Sequence, residues 1–128
     1  MTIQGLDHVN IRVRDVEATA AFFIDVLGMQ RSPERASWIL DASGHPAIHL
    51  GAADAPYPSD AWRPFEAQRG SGAVHHVALC CTGFDRMVER LTMLGVEHRT
   101  SIFLSMSLRQ ILVVEPGGIL LELNFKGE

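Results

Sequence analysis

Cysteine is scarce in this chain: 128 residues hold two, and these, Cys80 and Cys81, are neighbours. Adjacent cysteines rarely bridge to each other, which argues against a disulfide scaffold and fits a reducing compartment. Basic charge is also in short supply. A formal net charge of −4 leaves no cationic footprint, so nucleic acid is not an expected partner. Any anionic substrate would need local positive charge, for instance from a metal. No apolar run approaches the length of about 20 residues that crosses a bilayer. The opening Met1-Thr2-Ile3-Gln4-Gly5 lacks a basic segment followed by an apolar one, so no signal peptide is expected. A compact metal motif such as HExxH is missing too. These absences leave a cytoplasmic protein with no membrane partner as the expectation.

What is present is ordinary in bulk and distinctive in arrangement. Hydrophobic residues make up 47% and charged residues 20%, as in globular proteins generally. The length suits one domain, residues 1–128, able to bury its own core. Two short signatures then recur. Asp7-His8-Val9-Asn10 is matched by His75-His76-Val77-Ala78, and Ala47-Ile48-His49-Leu50 by Leu120-Leu121-Glu122-Leu123. The near-constant separation (8 to 76, then 49 to 122) implies a duplicated unit, with His8 equivalent to His76 and His49 to Glu122.

Patterning inside each copy agrees. Val9, Ile11 and Val13 alternate with His8, Asn10 and Arg12, which predicts a half-buried strand. Asp15 is placed to cap a helix whose apolar residues Val16, Ala20, Phe23 and Leu27 repeat at helical spacing, with Gly28 as its stop. Strands are expected near 29–35, 37–41 and 46–50. Residues 51–73, with Pro56, Pro58 and Gly70-Ser71-Gly72, read as a linker with space for a short helical turn. A second unit spans 74–128: a strand from His76, a helix opened by a capping box at Thr82-Gly83-Phe84-Asp85, and strands near 97–103, 108–114 and 119–125. The last two are joined by a turn at Glu115-Pro116-Gly117-Gly118. The helix carries Met87, Val88, Leu91 and Leu94, and both Met87 and Met93 are expected in the core. The fold class is therefore α+β, two tandem βαβββ units (1–50 and 74–128).

Side-chain parity sharpens the functional reading. Successive residues of a strand face opposite sides, and the apolar neighbours of His8, His49, His76 and Glu122 place all four opposite the core face. Three imidazoles and a carboxylate at paired positions are the ligand types of a divalent-metal site. His75 and Asp7 precede their histidines and are expected to point the other way, with His75 structural or supporting. His45, in a Gly-His-Pro turn, and His98, with no evident partner, are expected to be solvated. Asn10, Arg12 and Asn124 share the parity of the four candidates. Trp38 and Phe103 are candidates for apolar walls, and Ala47, Ala78, Cys80 and Leu112 for small or apolar lining.

The chain resembles the vicinal oxygen chelate superfamily, which includes glyoxalase I, methylmalonyl-CoA epimerase, extradiol dioxygenases and bleomycin- and fosfomycin-resistance proteins. The resemblance rests on Gly5-Leu6-Asp7-His8-Val9, Phe22-Phe23-Ile24-Asp25-Val26-Leu27-Gly28-Met29, His75-His76-Val77-Ala78-Leu79, and Glu115-Pro116-Gly117-Gly118 leading into Leu120-Leu121-Glu122-Leu123. It implies a cup-shaped mixed β-sheet with helices outside and a homodimer. It also implies a divalent ion (Ni, Co, Zn, Mn or Fe) held by His8, His76 and Glu122. His49 matches a fourth position that varies between members, as ligand or as proton shuttle. The family pattern turns Gln110 and Leu112 toward a small-molecule substrate, beside Asn10, and sends Arg109 outward as a surface or interface cation. The implied activity is a glyoxalase-type lyase or isomerase with Glu122 and His49 as catalytic groups. Its substrate would chelate the metal through vicinal oxygens, and the reaction would pass through a metal-stabilised enolate. An Fe(II) extradiol-type dioxygenase and a non-catalytic, resistance-type binding protein are the alternatives.

Overall fold

Among the described residues, alternating apolar residues become eight strands, β1 Val9–Val13, β2 Gln30–Arg31, β3 Trp38–Leu40, β4 Pro46–Ala52, β5 Val77–Cys81, β6 His98–Phe103, β7 Leu108–Val114 and β8 Leu120–Lys126. Two helices, α1 Val16–Ala21 and α2 Phe84–Met93, follow β1 and β5. The structure is a computed structural model that describes residues 1–64, 66, 69, 70 and 72–128. The chain divides into two compact units, Met1–Ala67 and Gln68–Glu128. Each unit runs strand, helix, three strands, and each carries one four-stranded mixed sheet, ordered β1-β4-β3-β2 and β5-β8-β7-β6. In both, the first strand pairs in parallel with the last and the other pairings are antiparallel. Among the described residues, no helix is long and apolar enough to cross a membrane.

Within the first unit, Ile11, Val13, Ile39, Ile48 and Leu50 are buried on one face of the sheet. Helix α1 packs on β4. Asp15 caps it, its carboxylate accepting from the Ala18 amide at 3.0 Å. The helical pattern does not run straight to Gly28: residues Phe22–Val26 widen into a π-helical turn that buries Phe22 and Phe23. Burying a side chain of this size contributes roughly 1.5–3 kcal/mol.

The second unit buries Ile111, Val113, Leu121, Leu123 and Phe125, with Phe84 and Leu91 supplied by α2. Three local expectations need correction here. The capping box at 82–85 does not form: Gly83 takes the cap position without a side chain of its own, and Glu128 supplies the carboxylate, 2.8 Å from the Gly83 amide and 3.2 Å from that of Phe84. Met93 is 81% exposed, because the buried stripe follows Phe84 and Leu91 and residue 93 lies round the helix from it. Arg109 is not a bare surface cation. It reaches Asp85 at 3.0 Å and lies 3.7 Å above the Phe84 ring, tying β7 to α2.

Candidate functional site

Parallel and antiparallel pairing set the polar face of the first sheet. Asn10 of β1 and Trp38 of β3 both sit opposite His49 of β4, so one row across the sheet reads Asn10, His49, Trp38. The His49 and Trp38 rings stack at 4.3 Å, tilted by 3°. His8, one residue before β1, joins this group from the edge, its ring edge-on to Trp38 at 4.7 Å and its centroid 6.4 Å from that of His49. Arg35 lies 5.2 Å above the Trp38 ring.

The shorter hydrogen bonds of His49 are made at Nδ1, with the Tyr57 hydroxyl 3.5 Å from Nε2. The Asn10 amide donates to Nδ1 at 2.9 Å, and the Tyr57 hydroxyl is 3.1 Å from the same atom. Asn10 also donates to the Tyr57 oxygen at 2.9 Å. Burial first, then the charges of His8, Arg35 and Arg12, hold the His49 pKa below the ordinary histidine value. Neutral imidazole is therefore its resting form at neutral pH.

The second sheet presents a carboxylate where the first presents His49. Glu122 of β8 pairs with Ala78 of β5 and Leu112 of β7. Its Oε1 accepts from Gln110 at 2.8 Å and from Asn124 at 2.9 Å, and Gln110 also donates to the Asn124 Oδ1 at 2.9 Å. The other oxygen, Oε2, faces His76 Nε2 at 3.5 Å. Gln110 and Leu112 thus share the Glu122 side of the sheet, while Ile111 and Val113 are buried on the other. The amide of Gln110 is directed at Glu122 and Asn124.

Asp7 and His75 do not turn away. Strand alternation begins only at Val9 and Val77, so the residues before them are not bound by it. Asp7 Oδ2 is 2.5 Å from His8 Nδ1, and His75 Nδ1 is 2.9 Å from His76 Nδ1. In both units, then, the residue before the histidine engages its Nδ1. Such a partner on one ring nitrogen fixes the tautomer of a metal-ligating histidine. The His8 contact also lowers the Asp7 carboxyl below its usual range. Of the other histidines, His45 is exposed and reaches the Asp7 carbonyl at 2.5 Å. His98 is half-buried and contacts the Val96 carbonyl at 2.8 Å.

The first sheet therefore brings His8 together with His49 and Asn10, and the second brings His76 together with Glu122, Gln110 and Asn124. Among the described residues, no three of the His, Cys, Asp and Glu side chains gather into one metal-binding group. Donor chemistry within the second pair does fit an ion. Bonds of about 2.0–2.2 Å to nitrogen and oxygen put neighbouring ligands about 3.0–3.5 Å apart, which is the His76–Glu122 spacing. Tyr57 went unnoticed in the sequence. Its signal was there, because it is the single tyrosine in the chain and stands between Pro56 and Pro58.

No curated protein matches the chain. Among solved structures, it is similar to the genomically encoded fosfomycin resistance protein FosX from Listeria monocytogenes, with 22% identity and a TM-score of 0.69 over 97% of this chain and 94% of that one. A virulence protein from Salmonella typhimurium gives 21% identity and a TM-score of 0.71 over 98% and 99%. Lactoylglutathione lyase from Agrobacterium tumefaciens gives 16% and 0.65 over 97% and 95%. At these identities the likeness is one of fold. The family model Glyoxalase/Bleomycin resistance protein/Dioxygenase superfamily matches residues 5–123, nearly the full length, and the chain belongs to that superfamily.

Proposed function

We propose that this protein is a divalent-metal-dependent lyase or isomerase of glyoxalase type, acting on a small substrate with two adjacent oxygens. Members of the superfamily commonly use divalent metals, bind small molecules and are often dimeric. The reading is carried by the state of Glu122. Two amide donors hold its Oε1, and among the described residues Oε2 is left facing His76 Nε2 at 3.5 Å without a hydrogen bond. A carboxylate fixed at one oxygen and open at the other suits a ligand that also exchanges a proton.

His8, His76 and Glu122 would hold the ion. When bound, it supplies a Lewis acid that offsets negative charge developing on a substrate oxygen. Glu122 takes a proton from the carbon beside a carbonyl, and Gln110 and Asn124 keep its carboxylate oriented while it does so. His49, neutral at rest, returns or accepts a proton through Nε2. Small and apolar neighbours, Ala78 and Leu112 beside Glu122, suit a modest organic substrate over a densely charged one.

Metal content of protein purified without chelator tests the proposal, beside His76→Ala and Glu122→Ala. One divalent ion per chain is expected, lost in both variants. The native protein should also exchange solvent deuterium into the carbon next to the carbonyl of a hemithioacetal or 2-hydroxy ketone. Failure to take up nickel, cobalt, zinc, manganese or anaerobic iron would overturn it and leave a resistance-type binding protein as the better account.

A further inference from the structure

Two donors converge on a single atom of His49. The Asn10 amide nitrogen is 2.9 Å from Nδ1 and the Tyr57 hydroxyl 3.1 Å from it, against 3.5 Å from the hydroxyl to Nε2. An amide N–H can only donate, so Nδ1 must carry a lone pair, and the proton of the neutral ring sits on Nε2. The opposite tautomer would set the ring N–H against the Asn10 N–H at 2.9 Å.

Tyr57 is itself fixed from three sides. The Arg12 guanidinium lies 4.5 Å above its ring. Its backbone amide donates to Asp60 Oδ2 at 2.7 Å, and its carbonyl accepts from the Asp60 amide at 2.9 Å. The repeat supplies a control. In the second unit Ala78, equivalent to Asn10, stands opposite Glu122, so this position carries an amide where the facing residue is an imidazole and a methyl where it is a carboxylate.

We propose that Asn10 and Tyr57 lock His49 as the Nε2–H tautomer, so that Tyr57 is a positioning residue and His49 presents a proton donor, not a metal ligand. The assignment of a proton-transfer role rests on the function proposed above; the tautomer does not. A nitrogen bearing hydrogen has no lone pair for a metal, and the other nitrogen is occupied. The lyase reading is thereby narrowed to a three-ligand site of His8, His76 and Glu122, with His49 delivering its Nε2 proton to a substrate oxygen or carbon and recovering it from the product side.

The test is long-range proton–nitrogen NMR of the full chain labelled with nitrogen-15 histidine, at neutral pH, first metal-free and then with zinc added. His49→Gln assigns the signals. The expected pattern for His49 is an unprotonated Nδ1 and a protonated Nε2, unchanged by zinc. Tyr57→Phe should weaken that pattern toward a mixture of tautomers and lower turnover by about tenfold, less than the roughly 10²–10⁴-fold of a general acid–base group itself, because Asn10 still reaches Nδ1. Both Tyr57→Phe and His49→Gln should bind zinc as the native chain does. A protonated Nδ1, a His49 signal displaced by zinc, or weaker zinc binding in His49→Gln would overturn the proposal. Should the native chain bind no metal while the Nε2–H pattern holds and Tyr57→Phe disturbs it, the lock stands and the metal reading alone falls.

Discussion

At the scale of single residues, environment divides groups that look alike in the sequence. Cys80 and Cys81 are neighbours, yet Cys80 is exposed and Cys81 half-buried. Burial first, and the adjacent Cys80 second, push the Cys81 thiol up to about 11. The thiolate is the reactive form, so iodoacetamide at pH 8 should modify Cys80 and leave Cys81 intact. Mass spectrometry of the labelled chain checks this, and equal labelling of both would contradict the burial of Cys81. Parity revealed which residues share a sheet face, because alternation is a property of the backbone. It could not reveal Asp7 against His8 or His75 against His76, since those contacts are made outside the strands. Nor could it find Tyr57, which reaches His49 from a segment without periodicity.

Elements were legible where one period ran unbroken, and less so where their ends depend on distant chain. The β strands and the order of both units follow from alternation and glycine stops. Asp15 was recognisable as a cap because its acceptor lies three residues from the amide it serves. The start of α2 was misread because its acceptor, Glu128, comes from far along the chain, and sequence spacing carries no trace of such a partner. Loss of a capping acceptor costs about 0.5–2 kcal/mol. Glu128→Ala should therefore lower the urea midpoint followed by circular dichroism, while Glu128→Gln, which keeps one acceptor oxygen, should lose less. The π-helical turn at Phe22–Val26 was likewise invisible: its apolar residues satisfy a helical stripe whichever way the last turn is wound.

For the molecule as a whole, the repeat was the most readable feature. Matching histidines and matching apolar runs reported the same two units, and the resemblance to the family rested on the same motifs. The repeat also makes a quantitative demand. Ile48 in β4 and Leu121 in β8 hold equivalent positions, each packed on the core face of its own sheet and at most 1% exposed. Truncation of a buried aliphatic side chain to alanine costs about 2–5 kcal/mol. Ile48→Ala and Leu121→Ala should each fall in that range by chemical denaturation; a much smaller loss from one would mean that its unit contributes little to the measured transition. What duplication left open is chemical. Equivalent places hold an imidazole in one unit and a carboxylate in the other, and only the contacts of each separate their roles.

The stacked pair of Trp38 and His49, with His8 edge-on to the indole, has a practical corollary. An indole stacked on an imidazole at 4.3 Å emits light according to the state of that ring, because a protonated or displaced imidazole quenches excited indole differently from a neutral one. The second indole of the chain, Trp62, is 85% exposed and emits at the longer wavelength of a solvated ring. The protein thus carries its own optical gauge, a short-wavelength component tied to His49 beside a red-shifted internal reference. Changes at this face can be followed by intrinsic fluorescence, with no label added, and Trp38→Phe supplies the blank.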